Sequence, residues 1–169
     1  FNSPFTKGVI LADEVGLGKT IEAGLILCQY WVERKRKILI ISPSSLRKQW
    51  QNELIDKFNI ESEIFETKNY KNERKSGNKN PFNQDKVIII SYNFADAMKS
   101  EIKSIKWDLV IIDEAHKLRN VYKQNNKTAN SIKWALSDIK KVLLTATPIQ
   151  NNLFELYGLS TIVDEYIFG

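Results

Sequence analysis

The apolar run Gly8-Val9-Ile10-Leu11-Ala12 passes without a linker into Asp13-Glu14-Val15-Gly16-Leu17-Gly18-Lys19-Thr20, and a helical apolar period follows from Ile21. A buried strand, a glycine-rich turn and a helix in immediate succession leave few architectures, because the helix must fold back over the strand. Runs of the same kind recur over 37–42 (KILIIS), 86–91 (KVIIIS), 107–113 (WDLVIID) and 141–145, with a shorter one over 62–67. They are continuously apolar rather than alternating, which implies a sheet covered on both faces. Helices are expected over 19–33, from Pro43 and Ser44 through Gln49, Leu54 and Phe58, and over 94–103, 128–137 and 152–163. Strand and helix alternate, as parallel strands joined by crossovers do. The expected fold class is therefore α/β, a three-layer sandwich with a mostly parallel central sheet. The stretch 68–85, rich in Asn and Lys, reads as a mobile surface loop.

Composition narrows the chemistry. The chain of 169 residues is one domain's worth of polypeptide, with 43% hydrophobic and 27% charged residues, the balance of a folded globular protein. A single cysteine excludes an internal disulfide and a cysteine-only zinc site, and a single histidine excludes a multi-histidine metal centre. Cys28 falls on an apolar stripe and reads as a buried, inert thiol; Trp31, Trp50 and Trp134 read as core. No run approaches the roughly 20 apolar residues of a membrane-spanning helix, and no secretory signal is recognisable, so a cytoplasmic location without membrane contact is expected. The chain opens at Phe1 and stops soon after an apolar run, as an excised domain would. The net charge of +5 is compatible with an anionic partner. The cluster Arg34-Lys35-Arg36-Lys37 reads more simply as cations at a helix C-terminus.

Two segments carry chemistry. In the first, small glycines let backbone N–H groups face anionic oxygens, and the helix N-terminus adds partial positive charge. Lys19 would reach the β- and γ-phosphates of a nucleotide, and the Thr20 hydroxyl would ligate magnesium. The strict G-x-x-x-x-G-K-[ST] pattern is not met, since Asp13 holds the first glycine position. In the second, Asp113-Glu114-Ala115-His116 ends the strand Leu109-Val110-Ile111-Ile112, at the rim where open α/β sheets bind ligands. Asp113 suits a magnesium ligand acting through water, and Glu114 a base for an attacking water. Either segment alone has a plain structural reading, a tight turn or two solvated acids. In this order, both together point to a nucleotide site.

These segments resemble the first RecA-like lobe of superfamily-two helicases, and in detail Swi/Snf-type ATPases. Leu11-Ala12-Asp13-Glu14-Val15-Gly16-Leu17-Gly18-Lys19-Thr20-Ile21-Glu22-Ala23-Gly24 is similar to the family's first motif, including the Asp that breaks the strict pattern. Ser42-Pro43-Ser44-Ser45-Leu46 with Gln49-Trp50 and Glu53 resembles a motif that touches the nucleic-acid backbone, and Ser91-Tyr92 a later DNA-facing segment. Asp113-Glu114-Ala115-His116-Lys117-Leu118-Arg119-Asn120 resembles the extended acidic (DEAH) box, and Leu144-Thr145-Ala146-Thr147-Pro148-Ile149-Gln150-Asn151 the coupling motif. The wording leans towards the bacterial branch typified by RapA.

The resemblance implies a RecA-like P-loop NTPase fold that binds ATP and Mg2+ and couples hydrolysis to movement along double-stranded DNA without reading its sequence. It implies DNA contacts at Ser44, Ser45, Lys48, Ser91 and Tyr92, with Trp50 nearby, and a link from His116 to Thr145 or Thr147, with Gln150 in the same coupling motif. It also implies a second RecA-like lobe that supplies an arginine finger. Arg34, Arg36, Arg47, Arg74 and Arg119 match no second-lobe motif, so residues 1–169 are expected to be one ATP-binding lobe, with feeble turnover and weak, salt-dependent DNA affinity of its own. RNA polymerase is the partner suggested by the RapA branch. The alternatives are the translocase lobe of a restriction or phage-defence complex, with its subunits as partners, and a nucleotide-binding switch that does not hydrolyse.

Overall fold

Side chains of a strand point alternately to the two faces of its sheet, so a run such as Ile38-Leu39-Ile40-Ile41 needs apolar cover on both. The computed structural model, which describes residues 6–12, 18–123, 125–148 and 153–167, provides that cover. Strands β1 (Gly8–Ala12), β2 (Ile38–Ser42), β3 (Ser62–Ile64), β4 (Val87–Ser91), β5 (Leu109–Ile112) and β6 (Lys141–Thr145) form one sheet in the order β1-β6-β5-β2-β4-β3. Every pairing is parallel. The sheet is thus wholly rather than mostly parallel.

Seven helices are present among the described residues: α1 (Lys19–Val32), α2 (Arg47–Phe58), α3 (Thr67–Lys75), α4 (Tyr92–Ala97), α5 (Lys99–Lys103), α6 (Lys127–Ala135) and α7 (Leu153–Val163). Ile38 and Ile40 pack on one face with Ala23 and Leu27 of α1 and Trp50 and Leu54 of α2. Leu39 and Ile41 pack on the other with Phe94, Ile102, Ile132 and Leu159, drawn from α4, α5, α6 and α7. All five β2 residues are fully buried, and each of the four apolar side chains stabilises by about 1.5–3 kcal/mol. These are the three layers the continuous apolar runs require.

Several elements differ from their sequence reading. The stretch 68–85 is not a bare loop: it opens with α3, whose Glu66 and Asn69 close a reciprocal capping box. Its two aromatic residues, Tyr70 and Phe82, are buried together with Phe65, so isolated aromatics anchor a segment whose composition is otherwise that of a loop. The helix after Pro43 starts only at Arg47, because residues 44–46 form a turn closed by Leu46 N–H to the Pro43 carbonyl at 3.0 Å. The helix expected over 94–103 begins at Tyr92, capped by Ser91, and breaks at Met98. Trp134 is not core but 52% exposed, with the Lys103 ammonium over its ring. Three cations of the basic cluster after α1 have partners within the domain: Lys35 pairs with Glu33 at 2.6 Å, Arg36 stacks on Trp31, and Lys37 pairs with Asp85 at 3.5 Å. No helix among the described residues is long and apolar enough to cross a membrane.

Candidate functional site

Parallel strands bring all their C-terminal ends to one rim, and the register here sets Ala12 beside Thr145, Ile112 beside Leu143, and Ser42 beside Ser91. The turn and the acidic tip singled out in the sequence therefore emerge on the same edge. Gly18 holds φ 91°, a left-handed conformation that glycine adopts without strain, and its carbonyl accepts the Ile21 and Glu22 N–H groups at 2.8 and 3.0 Å to start α1. Helix N-termini of this kind favour anions, because their first N–H groups point away from the helix and its dipole is positive there. Asp13, Glu14, Val15, Gly16, Leu17 and Gln150, expected at the site, lie outside the described residues.

A cleft of about 400 Å³ opens at this rim, lined by Gly18, Lys19 and Thr20 from the start of α1, by Asp113 and Glu114 after β5, and by Ala146 after β6. Lys19 and Asp113 thus face one space although 94 positions separate them in the numbering. Burial pushes the Asp113 carboxyl above its ordinary value, and the neighbouring Glu114 charge adds to this. The Trp50 indole, the Glu114 backbone N–H and the Lys19 charge oppose the rise. An anionic Asp113 in this setting is held at a cost that a cation in the cleft would offset.

Each end of Asp113 is fastened. Oδ1 accepts the Glu114 backbone N–H at 2.9 Å, and Oδ2 accepts the Trp50 indole N–H at 2.8 Å. The Tyr92 hydroxyl donates to the Asp113 main-chain carbonyl at 2.6 Å, and the Asp113 N–H donates to the Ile41 carbonyl at 2.8 Å. Glu114 follows with φ 54° and ψ 46°, a left-handed backbone for a residue with a side chain, and the short 3-10 turn over Ala115–Leu118 begins there. Such strain in a non-glycine residue is concentrated at functional sites. One carboxylate, one hydroxyl at Thr20 and an adjacent second carboxylate make an oxygen donor set of the kind magnesium takes when substrate phosphates complete its shell.

The helix α2 contributes more to this cleft than its sequence suggested. Gln49, Trp50, Glu53 and Lys57 line it, and Gln49 donates to Glu53 at 2.9 Å while Lys57 pairs with Glu53 at 3.3 Å. Residues 49, 53 and 57 recur every four positions, a spacing that marks one helical face and was legible in the sequence. Trp50, read as core and kept as a residue near nucleic acid, is core, 2% exposed, and its indole reaches the acidic tip.

The remaining candidates divide. Ser44 and Ser45 are exposed in the turn before α2, and Lys48 is exposed with its ammonium 2.7 Å from Gln51 Oε1. Ser91 and Tyr92 are corrected as phosphate contacts: each is 8% exposed, the Ser91 hydroxyl accepts the Phe94 N–H, and the Tyr92 hydroxyl is spent on Asp113. Among the described residues no hydrogen bond joins His116 to Thr145 or Thr147. His116 Nδ1 stands 3.0 Å from Glu114 Oε2, and the Thr145 hydroxyl accepts the Thr147 N–H at 3.1 Å. Arg119, at the end of the acidic segment, is held by Glu155 of α7 at 3.4 Å.

Comparison with known proteins accounts for this arrangement. Residues 4–169 match the family model described as the SNF2-related domain. The chain is 42% identical over 159 residues to the uncharacterized ATP-dependent helicase YqhH of Bacillus subtilis, covering 91% of this chain and 26% of that protein. It is 39% identical over 147 residues to the RNA polymerase-associated protein RapA of Serratia proteamaculans, covering 84% of this chain and 15% of RapA. The chain therefore spans about a quarter or less of these relatives. Among solved structures, the Sulfolobus solfataricus SWI2/SNF2 ATPase core in complex with double-stranded DNA superimposes with a TM-score of 0.72 at 25% identity, over 93% of this chain and 31% of that one. With strand order, rim and acidic tip in place, the chain belongs to the SNF2-related domain family, as the N-terminal RecA-like lobe of a Swi/Snf-type superfamily-two ATPase.

Proposed function

We propose that this domain is the ATP-binding lobe of a DNA-dependent ATPase that uses hydrolysis to move along double-stranded DNA. The observation that carries the reading is the convergence of Lys19 and Thr20 with Asp113 and Glu114 on one cleft. Lys19 would hold phosphate oxygens as a point charge, and Thr20 and Asp113 would hold magnesium. When bound, the ion supplies charge neutralisation across the transferring phosphoryl group. Glu114, in contact with His116 and next to the fixed Asp113, would orient the attacking water and take its proton. Four intact groups of these types favour hydrolysis over a switch that only binds.

Double-stranded DNA as the partner rests on family membership and on the DNA present in the Sulfolobus complex. The exposed Ser44, Ser45 and Lys48 beside the rim suit phosphate contacts that position a duplex without reading it. The RapA relatives are RNA polymerase-associated, which makes that enzyme a second partner to test. A second RecA-like lobe would close the cleft and supply the arginine finger, leaving the isolated lobe with weak ATP binding and slow turnover.

The experiment is ATP turnover by the full-length protein with and without double-stranded DNA, beside a Lys19→Ala variant. The expected result is DNA-stimulated, magnesium-dependent turnover that Lys19→Ala abolishes. A full-length protein that neither binds nor hydrolyses ATP would overturn the reading, and turnover by residues 1–169 at the full-length rate would overturn the need for a second lobe.

A further inference from the structure

Trp50 sits in the first turn of α2, 63 positions before Asp113, in one buried cluster with Leu54, Ile40 and Ile111 and with 2% of its surface exposed. The indole N–H is a donor only, and when buried it needs one acceptor with suitable geometry. That acceptor is Oδ2 of Asp113, at 2.8 Å. The other carboxylate oxygen is taken by the Glu114 N–H, so the plane of the carboxylate is fixed by two donors of different origin, one of them borne by α2. Asp113 lines the same cleft as Lys19 and Thr20.

We propose that Trp50 is a positioning residue for the metal ligand Asp113: its indole N–H sets the carboxylate orientation, so that α2 and the acidic tip form one geometric unit. The inference rests on the reading of the cleft as a magnesium–nucleotide site. Apolar packing of the ring needs only its shape, which phenylalanine largely keeps. The hydrogen bond needs the nitrogen, and its acceptor is the carboxylate that would face the ion. Outer-shell donors to metal ligands typically contribute 10–100-fold to metal affinity or activity.

The test is a titration of magnesium against binding of a fluorescent ATP analogue to the full-length protein, comparing wild type with Trp50→Phe. The expected result is a magnesium half-saturation about 10-fold higher in the variant, with analogue affinity in EDTA unchanged. An unchanged half-saturation overturns the proposal, and a lowered melting temperature with normal half-saturation assigns the residue to packing alone. Should Trp50→Phe fail to fold, fluorotryptophan-labelled wild type replaces it, the Trp50 signal being assigned by substituting the other tryptophans of the full-length protein in turn, Trp31, Trp107 and Trp134 among them. That signal is expected to move when magnesium and the analogue are added together and not with the analogue in EDTA; a signal that stays put in both overturns the proposal. A wild-type protein that binds no analogue at any magnesium concentration overturns the reading of the cleft itself, and this inference with it.

Discussion

Glu114 Oε2 and His116 Nδ1 stand 3.0 Å apart across the step from left-handed backbone into the 3-10 turn. The imidazole thus lies beside the carboxylate proposed as the base, its buried Nδ1 without a hydrogen bond among the described residues. Removing the carboxylate should therefore separate binding from chemistry. Glu114→Gln keeps size and polarity, so the variant is expected to bind ATP as wild type does while turnover falls about 10²- to 10⁴-fold. His116→Ala should lower turnover less and leave binding intact. Nucleotide binding and phosphate release, measured on the same samples, check both; wild-type turnover by Glu114→Gln would remove that residue from the role.

Asp113 yields a prediction about stability. Burial raises its folded pKa above the ordinary carboxylate value, so the protonated form is the one the fold favours. The associated stability is fully present below the unfolded carboxylate pKa and is lost as pH rises through the folded value. At neutral pH the ionised group is a liability, as groups kept for function commonly are. In EDTA, wild type is expected to lose stability relative to Asp113→Asn as the pH rises through the carboxylate range, because only wild type must ionise a buried group. The amide offers one acceptor to two donors, the Trp50 indole and the Glu114 N–H, which adds a pH-independent cost of about 1–3 kcal/mol to the variant. Thermal melts of both proteins at several pH values check this, and parallel curves would contradict it.

The sequence was most informative where one physical rule acted alone. Four-residue apolar runs such as Val87-Ile88-Ile89-Ile90 can satisfy both faces only inside a layered α/β sheet, and they do. The convergence of Lys19 with Asp113 followed from parallel strands ending on one rim. Illegible were the facts that depend on contacts between distant segments. Nothing in residues 68–85 announces that Tyr70 and Phe82 close an aromatic cluster with Phe65, because the partner ring belongs to another segment. Nor does local pattern distinguish a tryptophan that packs from one whose nitrogen meets a carboxylate 63 positions away. Ser91 and Tyr92 fit a DNA-facing segment by their chemistry, but both are buried, Ser91 as the acceptor that caps α4 and Tyr92 with its hydroxyl donated to the Asp113 carbonyl.

Gly158 of α7 lies against the acidic segment so closely that a Cβ there would overlap the Arg119 main-chain oxygen. A backbone atom cannot swing aside as a side chain can. Gly158→Ala must therefore push α7 away from the turn that follows Glu114, and overpacking of this kind costs about 1–3 kcal/mol. Urea denaturation should show a lowered midpoint with an unchanged slope. Equal midpoints would mean that the helix shifts without loss.

At the end of the strands opposite the cleft, Lys141 opens β6 fully buried, its ammonium donating to the Ile139 carbonyl at 2.7 Å, with the Ser137 and Val163 carbonyls at 3.5 Å. Burial pushes its pKa down to about 8 from an ordinary 10.5, while Asp138 pulls the other way. Between those values the unfolded chain holds a proton that the folded chain has released, so unfolding becomes harder as pH rises. The tyrosines act in the opposite sense. Burial pushes Tyr70 up to about 12 and Tyr92 well above its ordinary value, so above roughly pH 10 their contribution to stability is lost. The clean window is pH 8 to 10. There the stability of wild type relative to Lys141→Met, a comparison in which the tyrosines cancel, is expected to grow by about 2 kcal/mol. Urea unfolding of both proteins at half-unit pH steps measures it. Parallel curves across the window would mean that Lys141 keeps its proton, and that the surrounding carbonyls hold the ammonium well enough to outweigh its burial.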